Sequence, residues 1–171
     1  MDALDPYSLP ISGLRMGIHE YRFNVDRGFF SQFEDSPVED GDVDVEVILD
    51  KRPDFFVLDF ELSGTVKVTC DRCLEAFDLP ISDSQRLYVK FDETEWEDVD
   101  VVYVLQGTQQ FNVARFIYEF INLAMPISRT HEEAGETCNP EMLKYLKSSE
   151  ESPGPESGSV WDSLKGLNFD N

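Results

Sequence analysis

The chain has 171 residues, 41% of them hydrophobic and 12% aromatic, which suits one domain with a real core and excludes wholesale disorder. Fourteen Lys and Arg stand against 35 Asp and Glu, a formal net charge of −21. That balance argues against broad electrostatic binding to nucleic acid or an anionic membrane, which needs cations to displace condensed counterions; a basic partner, or solubility alone, accounts for it better.

Pro6, Pro10, Gly13 and Gly17 interrupt any regular element in the first 17 residues. His19 to Val25 alternates side-chain character with period two, the mark of a half-buried strand. An acidic, turn-rich stretch runs from Glu34 to Gly41. Asp42 to Leu49 is the cleanest strand: Val43, Val45 and Val47 alternate with Asp42, Asp44 and Glu46, so one face is apolar and the other carboxylate. Lys51-Arg52-Pro53-Asp54 reads as a turn. Phe56 to Leu62 resumes the extended pattern, Ser63-Gly64 reads as a break, and Thr65 to Thr69 runs as a further strand into Cys70. Phe77 to Ile81 and Gln85 to Phe91 read as two more strands. Asp92 to Asp100 reads as a solvated acidic connection and Val101 to Leu105 as a short strand. Strands spaced this closely favour an antiparallel meander over βαβ units.

From residue 112 the period changes. Val113, Phe116, Ile117, Phe120, Ile121 and Ala124 recur at helical spacing, Asn112 is the candidate cap, and Pro126 ends the helix. A shorter helix is predicted from Pro140 to Leu146, with Pro at its first position and Glu141 in its first turn. Ser148 to Ser159 reads as a flexible linker. Beyond it, in a tail over 160–171, Trp161, Leu164 and Leu167 stand three apart and either dock on their own domain or wait for a partner. The expected architecture is α+β: a mainly antiparallel sheet or partial barrel, one main helix over 112–124 and a short helical C-terminal region, in a single domain over 1–147. No apolar run approaches the ~18 residues that span a bilayer. Residues 1–6 lack a signal-peptide pattern, and three cysteines do not suit a secreted disulfide scaffold, so a cytoplasmic protein away from membranes is expected.

Cys70-Asp71-Arg72-Cys73 is the strongest local feature, because a C-x-x-C pair can grip one metal ion or form a disulfide. A redox pair normally opens a helix whose dipole lowers a thiol pKa. Leu74 to Pro80 reads instead as hairpin or strand, which leaves half of a zinc knuckle needing two more ligands. His19 lies in a strand with no nearby partner and reads as a rim histidine. His131 and Cys138 lie in an irregular polar loop that can fold back on the hairpin. Cys70, Cys73, His131 and Cys138 would satisfy tetrahedral zinc; the other reading is reduced side chains on adjoining loops. Zinc is the cofactor candidate.

Enzyme signatures are missing: there is no P-loop, G-x-G-x-x-G, G-x-S-x-G or H-E-x-x-H. The acidic run from Asp92 lacks the glycine and spacing of an EF-hand. No catalytic residue is assigned, and a non-enzyme is expected. For RNA the candidates are Lys67, Arg72, Arg86 and Lys90, with Tyr88 or Phe77 for base stacking. For a basic protein they are Asp42, Asp44 and Glu46, whose field would steer the encounter, with Trp161, Leu164 and Leu167 on the tail.

Three segments, in this order, resemble the YceD family, bacterial and plastid proteins associated with accumulation of 23S ribosomal RNA. Gly64 to Phe77 is similar to the family's strand ending in a C-x-R-C element followed by an aromatic residue. Tyr118 to Pro126 resembles the acidic-apolar helix that closes on Leu-Ala-x-Pro, followed here by His131 and Cys138 where members often carry His and Cys. Trp161 to Leu167 is similar to the closing element with two leucines three apart. The resemblance spans roughly residues 10 to 170, the first 60 in strand pattern only. It implies a role in synthesis, processing or stability of 23S ribosomal RNA, without enzymatic activity. Members are often encoded beside a large-subunit ribosomal protein gene, which implies a basic large-subunit ribosomal protein, or 23S precursor RNA, as partner. Some members complete a four-Cys zinc site with a second C-x-x-C after the helix, where this chain offers His131 and Cys138. The alternative is a small zinc-binding, nucleic-acid-binding module unrelated to ribosome assembly.

Overall fold

A computed structural model of the chain describes residues 3–34, 36–94, 96–98 and 101–150. After a single 3-10 turn, Asp5–Tyr7, the elements run β1 (Ser8–Pro10), β2 (Gly17–Val25), α1 (Arg27–Phe30), β3 (Asp40–Lys51), β4 (Phe55–Thr69) and β5 (Ala76–Asp92). They continue with β6 (Trp96–Asp98), β7 (Val101–Leu105), β8 (Gln110–Asn112), α2 (Ala114–Ala124), a second 3-10 turn, His131–Ala134, and α3 (Pro140–Glu150). Six strands form one sheet in the order β2-β3-β4-β5-β7-β6, and β1 pairs with β8 in a separate ribbon. Neighbours are antiparallel except β5 and β7, which run parallel. The sheet stays open, with β2 and β6 at its edges, so the fold is α+β and no barrel closes.

Period two decides which side chains meet. Val43, Val45, Val47 and Leu49 of β3, Phe56, Leu58, Phe60 and Leu62 of β4, and Leu79, Ile81, Leu87 and Val89 of β5 all point to one buried face. Helix α2 adds Ala114, Phe116, Ile117 and Ile121, and Phe120 meets Phe60 edge-on at 5.0 Å between ring centroids. Each such large apolar side chain contributes about 1.5–3 kcal/mol by leaving water. The opposite face carries the charged residues between them.

Several boundaries differ from the sequence reading, each for a physical reason. Ser63-Gly64 does not break β4. A Cβ at Gly64 would lie 2.2 Å from the Asp42 carbonyl oxygen and 2.7 Å from Val43 Cα, so the glycine lets β3 come close. Likewise β5 is one strand, because Ser82 to Ser84 find ladder partners in Ser63 to Glu61. Asp26 caps the unforeseen α1, accepting from the Gly28 and Phe29 N–H groups at 2.8 and 3.3 Å while Phe29 and Phe30 are buried. The acidic connection after Asp92 contains β6, paired with β7. Asn112 ends β8 and still caps α2 from outside, its Oδ1 accepting from Ala114 N–H at 2.9 Å. Helix α3 passes Leu146 to reach Glu150, so Ser148 to Glu150 are helix and not linker. The remainder of the linker, and the tail with Trp161, Leu164 and Leu167, lie outside the described residues. Among the described residues no helix is long and apolar enough to cross a membrane.

Candidate metal centre

The turn between β4 and β5 presents Cys70 and Cys73. Cys70 N–H donates to the Glu75 carbonyl at 2.9 Å and Leu74 N–H to the Cys70 carbonyl at 3.0 Å, which folds four residues into a loop. Leu74 pays for the tightness with φ of 60°, the left-handed region. Both sulfurs then face the same point, and Arg72 N–H donates to Cys70 Sγ at 3.4 Å. No helix opens here, so the dipole a redox pair would use is missing.

The other half arrives from beyond α2. Pro126 forces the chain out of the helix, and residues 127–130 carry it back over the hairpin. Thr130 leads into the 3-10 turn that starts at His131, and Gly135 closes the turn with φ of 72°. His131 is 5% exposed and lies over Phe77, ring centroids 4.5 Å apart. Its Nδ1 faces Cys73 Sγ at 3.4 Å and Cys138 Sγ at 3.7 Å, while Cys138 Sγ lies 3.7 Å from Cys70 Sγ.

All four ligand atoms lie within 4.8 Å of one another, close enough to hold a metal ion. Tetrahedral zinc with Zn–S of ~2.3 Å and Zn–N of ~2.0 Å requires ligand edges of about 3.5–3.8 Å. Three of the six edges, at 3.4, 3.7 and 3.7 Å, lie in or within 0.1 Å of that range, and the three cysteines form no disulfide. Burial pushes the Cys70 thiol up, yet N–H donors of Cys73, Arg72 and His131 outweigh it and bring the pKa down to about 6. Cys138 goes the other way, to about 11, because burial and the neighbouring Cys70 and Cys73 sulfurs oppose a further negative charge.

Residues that the sequence did not mark for this role position the centre. Asp71 and Arg129 bind each other through backbone and side chain. Arg72 pairs with Glu132, and Asn139 Nδ2 donates to Glu75 Oε1 at 2.7 Å. The only available hint was the density of charged and amide side chains flanking the four ligands.

The RNA candidates are not brought together. Lys67 sits opposite Asp78 on the outer face, and Arg72 is tied to Glu132. Arg86 is held by both carboxylate oxygens of Asp59, at 2.5 and 3.1 Å. Lys90 lies opposite Phe55, roughly 40 Å along β5 from the Lys67 position. Phe77 is buried under His131, which removes it as a stacking surface. Asp42, Asp44 and Glu46 do share the outer face. Asn24 Nδ2 donates to Asp42 at 2.8 Å and Asp44 at 3.1 Å, and Arg22 pairs with Glu46 at 2.9 Å. Asp44 and Glu46 border a cleft of about 790 Å³ together with Glu61, Ser63, Ser82 and Ser84. His19 reaches only the Arg15 carbonyl, at 2.9 Å, as a rim histidine would.

Neither a curated protein nor a solved structure matches the chain. One family does, and it does so over the segment that builds the centre. The model of the large ribosomal RNA subunit accumulation protein YceD matches residues 58–168, well over half of the sequence and all four candidate ligands, and the chain belongs to that family.

Proposed function

We propose that this chain is a non-catalytic accessory factor for the accumulation of 23S ribosomal RNA, acting in the cytoplasm by contact with a basic large-subunit ribosomal protein. The observation that carries the ribosomal role is the family match over residues 58–168. What supports a protein contact is the outer face, where Asp44, Glu46 and Glu61 line a cleft together with Ser63, Ser82 and Ser84, and Asp42 continues the row of carboxylates along β3. A partner rich in Lys and Arg would be steered to such a face and kept from premature RNA contact, with an affinity that falls as salt rises.

Zinc suits the donor set at Cys70, Cys73, His131 and Cys138, three cysteine sulfurs and an imidazole whose ligand atoms all lie within 4.8 Å of one another. Four protein ligands leave no position open for water or substrate, which is the pattern of a structural ion. Its work would be to pin the segment after α2 to the β4–β5 turn.

The test replaces Asp42, Asp44 and Glu46 together with Lys and measures binding to basic large-subunit ribosomal proteins, alongside 23S levels in cells lacking the native copy. Loss of binding and a fall of 23S relative to 16S are expected. Unchanged affinity would sink the acidic contact, and normal 23S without the protein would sink the ribosomal role. The alternative, a zinc-binding nucleic-acid module unrelated to ribosomes, draws support from the same Cys/His cluster with Lys67 and Arg72 nearby. It predicts nucleic-acid binding that depends on those two cations while 23S stays normal.

A further inference from the structure

At the end of the sheet far from the metal centre, the outer face changes character. Phe55, Tyr88, Lys90 and Val101, with Asp54 from the preceding turn, line a surface cavity of about 550 Å³. Register explains why they meet: Phe55 lies opposite Lys90 between β4 and β5, and Tyr88 opposite Val101 between β5 and β7. The Phe55 and Tyr88 rings are 6.3 Å apart and tilted by 50°. Both are half-buried, on the face that elsewhere carries charges and serines.

The cation in this cavity also differs from the arginines of that face. Arg22, Arg52 and Arg86 on the same face are each held by a carboxylate, of Glu46, Asp50 and Asp59 respectively. Lys90 has no carboxylate partner among the described residues.

We propose that this cavity is a stacking site for one unpaired base of single-stranded RNA, an inference that rests on the ribosomal role proposed above. Tyr88 and Phe55 supply the ring faces, and base–aromatic stacking needs no large positive field, which this acidic chain lacks. Lys90 at the rim meets the adjoining phosphate as a single cation. Asp54 repels phosphate from the cavity itself and can accept a hydrogen bond from an exocyclic amine, as carboxylates do from cytosine N4. The chemistry therefore favours cytosine over uracil, which has no such amine. A basic protein would gain more from the carboxylate-lined cleft than from a cavity with one carboxylate and one lysine.

The test uses the full chain and labelled oligocytidylate and oligouridylate of about ten nucleotides, read by fluorescence anisotropy. Binding is expected, tighter for cytidine, and with a salt dependence no steeper than about one released counterion. Tyr88→Leu, which keeps apolar cover over Val57, should weaken binding about tenfold, the cost of one lost stack. Phe55→Leu serves as the second variant should Tyr88→Leu fail to fold, and Asp54→Ala should abolish the cytidine preference. The proposal is overturned if the intact chain binds neither oligonucleotide, or if binding is indifferent to both ring substitutions. It is also overturned if folded Tyr88→Leu loses a protein partner and keeps RNA. Absence of RNA binding while 23S still falls without the protein would remove the stacking site and leave the ribosomal role standing. RNA binding through Tyr88 with normal 23S would do the reverse.

Discussion

Asp71 and Arg129 clasp each other across the metal centre: Asp71 N–H donates to the Arg129 carbonyl at 2.8 Å, and Arg129 N–H donates to Asp71 Oδ2 at 2.7 Å. Their charged groups approach to 3.6 Å. This clasp fixes the path along which His131 and Cys138 return to the hairpin. Asp71→Ala keeps one backbone bond and loses the carboxylate, which should cost about 1 kcal/mol of stability and lower metal affinity about 10–100-fold. Competition with a chromophoric chelator measures it. Unchanged affinity would mean that the ligands alone bring the segment back.

Cys138 is the least buried of the four ligands and the last in the chain. The intact protein should carry one zinc per chain after dialysis, by elemental analysis, and its melting temperature should fall on treatment with chelator. Cys138→Ser should lower affinity by at least the ~100-fold upper limit typical of losing a supporting partner, since a ligand itself is gone. Retention of stoichiometric zinc by that variant at the same chelator concentration would refute the four-ligand centre.

Metal uptake should depend on pH with two slopes. In the metal-free protein the Cys138 thiol, raised to about 11, is protonated through the neutral range and must release its proton on binding. Affinity should therefore climb as pH rises. Cys70, lowered to about 6, is already a thiolate above that pH and adds a further proton to the competition only below it. Affinity should thus fall more steeply with acid below about pH 6. Without metal the signs separate. Cys70, depressed from 9.0, contributes stability present above its unfolded value and lost as pH falls through about 6, whereas the raised Cys138 costs stability as pH rises beyond 9.0. Chelator competition across pH 5–9 reads the binding slopes, and a single uniform slope would contradict this assignment.

Gly64→Ala should destabilise the sheet. Its new methyl would sit 2.2 Å from a backbone oxygen and 2.7 Å from a backbone Cα of β3, neither of which can swing aside. Overpacking of this kind costs about 1–3 kcal/mol or more, seen as a lower urea midpoint. A midpoint equal to that of the parent would show that β3 and β4 have room to separate.

Local pattern was enough for much of this molecule. The valine–carboxylate alternation of residues 42–47 specified both faces of β3, and apolar spacing with Pro126 delimited α2, because period and backbone restriction act between near neighbours. Residue chemistry was enough to nominate Cys70, Cys73, His131 and Cys138, since few other soft ligands exist in the chain. Contacts between distant segments decided the rest. Gly64 looks like a strand breaker until β3 packs against it, and Ser82 to Ser84 look like a loop until β4 supplies their ladder. The parallel β5–β7 pairing has no local signature at all. Cys73 and His131 stand 58 positions apart, and they meet only because the chain after α2 folds back over the β4–β5 turn. The same long strands that unite the ligands carry Lys67 and Lys90 to opposite ends of the sheet, so cations that the sequence offered together as RNA candidates stand at separate places in space.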